Sequence, residues 1–135
     1  MISKKFITIG LLGAIAVALG ALGAHALKNQ IATGLMTEDL VNGFDTGVKY
    51  QMYHTLAMFL ILLLNKDDAD KFLRYSYNLF FAGILFFSGS LYFLCTRHLL
   101  GAEWLKFLGP ITPIGGILFV LGWLFIAYAA IKSKK

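Results

Sequence analysis

The chain has 135 residues, of which 59% are hydrophobic and 14% charged, with a formal net charge of +5 and one cysteine. A soluble domain is about 45–50% apolar and about 25% charged, so this composition cannot clothe a separate water-soluble domain. The lysines flank apolar runs instead of forming a patch, which speaks against nucleic-acid binding and for a membrane protein with cations at its cytoplasmic ends. Cys95 alone excludes an internal disulfide, a CxxC redox pair and a cysteine zinc site.

The first apolar run covers 6–27 and follows Lys4 and Lys5. Ala24-His25-Ala26 satisfies the small-x-small rule of a signal-peptidase site, but the apolar stretch before it exceeds the about 7–15 residues of a leader. Gly13 and Gly20 are seven apart, as are Ala16 and Gly23, and Ala16, Gly20 and Ala24 are spaced by four. Small stripes of this kind let helix backbones approach closely in lipid, so the run is expected to stay as a packing helix. In the connection that follows, Thr37-Glu38-Asp39 reads as a helix start and Gly43 as a stop, which predicts a short interfacial helix.

The second run covers 48–64, extended outward by "FDTG", with Lys49 near its end. "NKDDADK" is a charged turn. The third run covers 72–95, with Arg74 near one end, and places Ala82 and Gly89, and Gly83 and Ser90, seven apart. The third connection carries Trp104, suited to the headgroup region. It ends in Pro110 and Pro113, the latter fitting the first turn of a helix, where a missing N–H costs nothing. The fourth run covers 114–131, with Gly115, Gly122 and Ala129 at intervals of seven and Gly116 beside them. "GILFFSG" (83–89) and "GILFVLG" (116–122) are alike through shared packing chemistry. A spanning helix needs roughly 20 apolar residues. The expected fold is therefore an all-α integral membrane protein, a four-transmembrane-helix bundle with antiparallel neighbours, forming one membrane domain over 1–135.

Lysine and arginine counts set orientation. Lys4, Lys5, Lys66, Lys71, Arg74, Lys132, Lys134 and Lys135 fall on one side, and Lys28, Lys49, Arg97 and Lys106 on the other. Eight against four places both termini in the cytoplasm, at a cell (inner or plasma) membrane.

With that orientation, His25, Tyr50, Tyr53, His54, Ser88, Ser90 and Thr112 are expected to converge on the outer third of the bundle, with Ser76 and Asn78 near the inner edge. Such groups hydrogen-bond between helices for about 0.6–2 kcal/mol each. Alternatively they line a pocket opening outward, since ionisable groups within membrane helices are functional candidates. A metal or haem reading would use His25 and His54 with Cys95 or His98, but no HxxxH or ExxH spacing supports it, and no cofactor is expected. No nucleophile–base–acid set, phosphate loop or intramembrane carboxylate pair appears, which argues against an enzyme. A proton-coupled antiporter also lacks its carboxylate.

"GALGAHAL", "TGVKYQMYHTLAMFL" (46–60), "FAGILFFSGSLY" (81–92) and "LGPITPIGGILFVLGW" (108–123) together resemble the UPF0382 family of small bacterial membrane proteins, of YwdK and YgdD type, also called domain of unknown function 423. The resemblance touches all four runs. It implies a multi-pass inner or plasma membrane protein that keeps its first run, and it carries no established activity. The positions it marks are Gly23, His25, Tyr50, Tyr53, His54, Ser88, Gly89, Ser90, Pro113, Gly115, Gly116 and Trp123. The expected role is structural or accessory, through helix and lipid contacts. The alternative is a small-solute or ion conduit lined by His25, Tyr50 and His54. The expected partners are membrane lipids and a second copy or another membrane protein, and not nucleic acid.

Overall fold

The structure is a computed structural model and describes residues 2–133, with side chains from Lys4 onward. Lys134 and Lys135, counted above for orientation, lie outside the described residues.

Four helical rods are long and apolar enough to cross a membrane: Lys4–Leu27, Glu38–Leu64, Lys71–Thr96 and Glu103–Ser133. Only helices and closed barrels satisfy every backbone polar group inside lipid, and the apolar runs accordingly form uninterrupted helix despite their glycines. The first rod is α1 (Ile2–Leu22), which continues through a π-helical turn at Gly23–Leu27. The second is α2 (Glu38–Leu64). The third is α3 (Lys71–Gly83), which passes through a second π-helical turn at Ile84–Ser88 into α4 (Gly89–Thr96). The fourth opens with a 3₁₀ segment at Glu103–Leu108 and becomes α5 (Ile111–Ser133), with Pro113 in its first turn.

The expectation of a short interfacial helix ending at Gly43 is corrected here. Helix α2 starts where Thr37-Glu38-Asp39 indicated. The Thr37 hydroxyl accepts from Leu40 N–H at 3.2 Å, and two carboxylates sit in the first turn, favourable placements at a helix N-terminus. It then runs through Gly43 without a break for 27 residues, or roughly 40 Å. Gly43 is present for packing: a Cβ there would lie 2.7 Å from Cys95 Sγ on α4.

Two apolar clusters fill the bundle. One joins Ile9, Met58, Ile61, Phe80, Ile84 and Phe119 across all four rods. The other, at the end away from the termini, joins Leu27, Phe44 and Cys95 to Met36, a residue of the first connection that is 2% exposed. At the termini end, Lys5 pairs with Asp68 at 3.0 Å, and Arg74 Nη1 donates to the Asp68 carbonyl at 3.0 Å. Asp70 caps α3 through Phe72 and Leu73 N–H, so "NKDDADK" is a tied turn.

The small-residue stripes divide by use. A Cβ at Gly83 would lie 2.5 Å from the Phe119 ring, and one at Gly122 2.5 Å from the Phe80 ring. The third and fourth rods thus interlock through reciprocal aromatic-into-glycine notches. Gly115 faces the Phe87 backbone directly. Gly20 and Gly23 bring the first rod onto Val48 and Phe44 at 3.3 and 3.1 Å, while Gly13 makes ordinary contact with Thr55 at 4.0 Å. Gly89 and Gly116 leave more room: a Cβ at Gly89 would lie 4.0 Å from the Ile84 carbonyl oxygen of its own rod, and one at Gly116 3.9 Å from the Phe87 ring, ordinary contacts like that of Gly13. Gly47, which the spacing did not single out, meets Tyr92 at 3.0 Å.

Candidate functional site: a polar node at the centre of the bundle

Gln51, His54 and Thr55 lie on the buried face of α2, within one turn. Gln51 is 3% exposed. Its Nε2 donates to the Leu12 carbonyl of α1 at 2.7 Å, and its Oε1 accepts from the Tyr92 hydroxyl of α4 at 2.8 Å. Thr55 Oγ1 donates to the Gln51 carbonyl at 2.7 Å.

His54 is 4% exposed and stacks on Phe119 with ring centroids 3.5 Å apart and planes 7° from parallel. Its Nδ1 lies 2.7 Å from the Tyr50 carbonyl, and Trp123 Nε1 donates to its Nε2 at 3.2 Å. A carbonyl only accepts and an indole N–H only donates. The two partners therefore define one species, the neutral imidazole protonated on Nδ1. Phe80 meets the same ring edge-on at 5.0 Å.

The expected outer-third cluster does not form as one unit. His54 is packed near the middle of the rods: its stacking partner Phe119 fills the notch at Gly83, the midpoint of Lys71–Thr96. The reason is the early start of α2. Beginning at Glu38 and not at the "FDTG" extension near Phe44 moves position 54 roughly 9 Å deeper along the helix. Tyr50 and Tyr53 descend with it, but face outward at 40% and 56% exposure. His25 stands apart on the exposed surface of the first rod. It is two residues beyond Gly23, which meets Phe44, and two residues carry it about half a turn round the helix, away from α2.

Ser90 and Thr112 do meet, with oxygens 2.6 Å apart, nearer the end away from the termini. Ser90 donates onward to the Phe87 carbonyl at 3.0 Å, so Thr112 is the donor between them. Ser88 is fully buried beside the Tyr92 phenol, and its hydroxyl has no partner in hydrogen-bonding geometry among the described residues. Ser76, expected only at the inner edge, ties α3 to α5 through the Gly122 carbonyl at 2.8 Å.

Gln51 is the central residue the sequence reading passed over, together with its partner Tyr92. An amide inside "VKYQMYHTLAMF" was the available signal, because polar groups at membrane depth seek partners inside the bundle. Among the described residues, no three His, Cys, Asp or Glu side chains gather where a metal ion could be held. His98 pairs with Glu103 on the third connection, away from His54. Between α2 and α5 an aromatic groove of about 420 Å³ lies on the surface of the bundle. Tyr50, Tyr53, His54, Phe119 and Trp123 line it, and Gly116 leaves it open by lacking a side chain.

Residues 19–116 match the family described as "Protein of unknown function (DUF423)". A UPF0382 membrane protein of Haemophilus influenzae is 40% identical over 133 residues, covering 98% of each chain. The chain belongs to the UPF0382 family. The UPF0382 membrane protein YwdK of Bacillus subtilis is 39% identical over 131 residues, covering 96% of this chain and 98% of YwdK. A UPF0382 membrane protein of Staphylococcus aureus (strain USA300) is 40% identical over 130 residues, covering 96% of this chain and 97% of its own. No solved structure matches. This UPF0382 protein is accordingly a membrane protein of a family without an assigned activity, as the four motifs implied.

Proposed function

We propose that this UPF0382 protein is a non-enzymatic structural or accessory component of the bacterial inner (plasma) membrane, with both termini in the cytoplasm, acting through helix and lipid contacts. The observation that carries the reading is the state of the central node. The side-chain hydrogen-bonding groups of Gln51 and His54 engage other rods or their own helix, and Met58, Phe80 and Phe119 fill the space around them. Polar groups bound in this way fix helix register. Already engaged inside the bundle, they do not form the ring of free oxygens that replaces the hydration shell of a passing ion in a conduit. The lysine and arginine bias toward the termini supports the orientation.

The test reconstitutes the full chain in proteoliposomes and measures flux of small cations and neutral solutes, beside the thermal stability of His54→Ala. The proposal expects no flux above empty vesicles and a clear loss of stability in the variant. Wild-type flux, altered by His54→Ala in a folded protein, would overturn it in favour of a conduit.

A further inference from the structure

We propose that the cleft between the outer end of the first rod and the first turns of α2 binds the headgroup of a phosphatidylethanolamine molecule. The cleft holds about 410 Å³ and is lined by Ala24 and Lys28 from the first rod, Ile31 from the connection, and Glu38, Asn42 and Asp45 from α2. Its position suits a headgroup, because Lys28 directly follows the span Lys4–Leu27, where the hydrocarbon ends.

The charges select the ligand. Lys28 and Glu38 face one cleft, yet among the described residues neither forms an ion pair or a side-chain hydrogen bond. They stand on opposite elements with the cavity between them. Asp45 is the second carboxylate and is already held by Lys49 at 2.7 Å. Glu38, Asn42 and Asp45 share one helix face through their spacings of four and three. The cleft therefore offers a cation on one wall and carboxylates on the other.

A zwitterion that spans the two satisfies both. The phosphate faces Lys28 Nζ, and a primary ammonium, with three N–H donors, faces Glu38 and Asp45. A choline headgroup has the same charges but no N–H to donate, and a glycerol headgroup has no cation. Placed where the span Lys4–Leu27 ends, at the depth of the lipid headgroups, the cleft takes the lipid and not a soluble zwitterion as its occupant.

The test presents the full-length protein with an equimolar mixture of phosphatidylethanolamine, phosphatidylcholine and phosphatidylglycerol of identical acyl chains. Lipid retained through delipidation is counted by native mass spectrometry. The wild type should keep one phosphatidylethanolamine per chain, preferred about fivefold over phosphatidylcholine, the discrimination a partly exposed ion pair supplies. Glu38→Gln should abolish that preference, and Asp39→Asn, beside the cleft but not lining it, should keep it. Equal retention of the three lipids by the wild type overturns the proposal, and that comparison stands even if a variant fails to fold. A preference surviving in folded Glu38→Gln overturns it as well.

Discussion

Gln51 and His54 sit three residues apart, yet between them they connect α2 to all the other rods. Gln51 reaches Leu12 in the first and Tyr92 in the third, and His54 reaches Trp123 in the fourth. Interhelical hydrogen bonds of this kind contribute about 0.6–1.7 kcal/mol each. Gln51→Leu removes two of them and leaves the Tyr92 hydroxyl without its partner, so equilibrium unfolding in detergent or bicelles should show a loss of about 1–3 kcal/mol. Ser88 is the opposite case. Its hydroxyl is buried without a hydrogen bond among the described residues, so Ser88→Ala should be neutral or stabilising in the same measurement; a loss above about 1 kcal/mol would mean that the hydroxyl has a partner. His54 was legible as a buried polar residue from its type and place in an apolar run. The Leu12 carbonyl was not, because a backbone acceptor leaves no mark in the sequence. His25 looked equivalent to His54 by residue type, and only the contacts of Gly20 and Gly23 with α2 show that it faces away.

At the level of elements, glycine serves as a packing residue in several places, and in one it was wrongly read as punctuation. The period of seven predicted Gly83, Gly115 and Gly122 at close approaches, and each meets an aromatic residue of the neighbouring rod. It also selected Gly89, which has the same spacing and no close neighbour. Periodicity identifies a face, but not whether the partner rod fills it. Gly122→Ala should therefore push the buried Phe80 ring and destabilise the bundle by about 1–3 kcal/mol, the usual cost of overpacking. Gly89→Ala should change stability by less than about 0.5 kcal/mol. Comparable losses in both variants would contradict the notch assignment. Gly43 misled for a physical reason: helix-breaking by glycine is weak, roughly 1 kcal/mol, and lipid penalises any interruption far more. That one residue displaced the expected start of α2 and with it the depth assigned to Tyr50, Tyr53 and His54.

For the whole molecule, four rods with short connections were legible because hydrocarbon demands long apolar segments. How the polar residues pair across the bundle was not, because pairing depends on the register between rods. The termini end is closed by Lys5, Asp68 and Arg74, and the opposite end carries Lys28, Trp104 and Lys106 on exposed surfaces. If the termini are cytoplasmic, a membrane-impermeant maleimide applied to intact cells should label Thr33→Cys and not Lys66→Cys, with the buried Cys95 silent in both. The reverse pattern would invert the topology. The account as a whole rests on a packed interior in which Gln51 and His54 are bound to neighbouring rods. The most direct test is ¹⁵N NMR of histidine-labelled protein in lipid bilayers at neutral pH. It should show His54 as the neutral Nδ1–H tautomer, with an Nε2 resonance that moves when Trp123→Phe removes the indole donor. An imidazolium, an Nε2–H tautomer, or a resonance indifferent to Trp123→Phe would contradict the account.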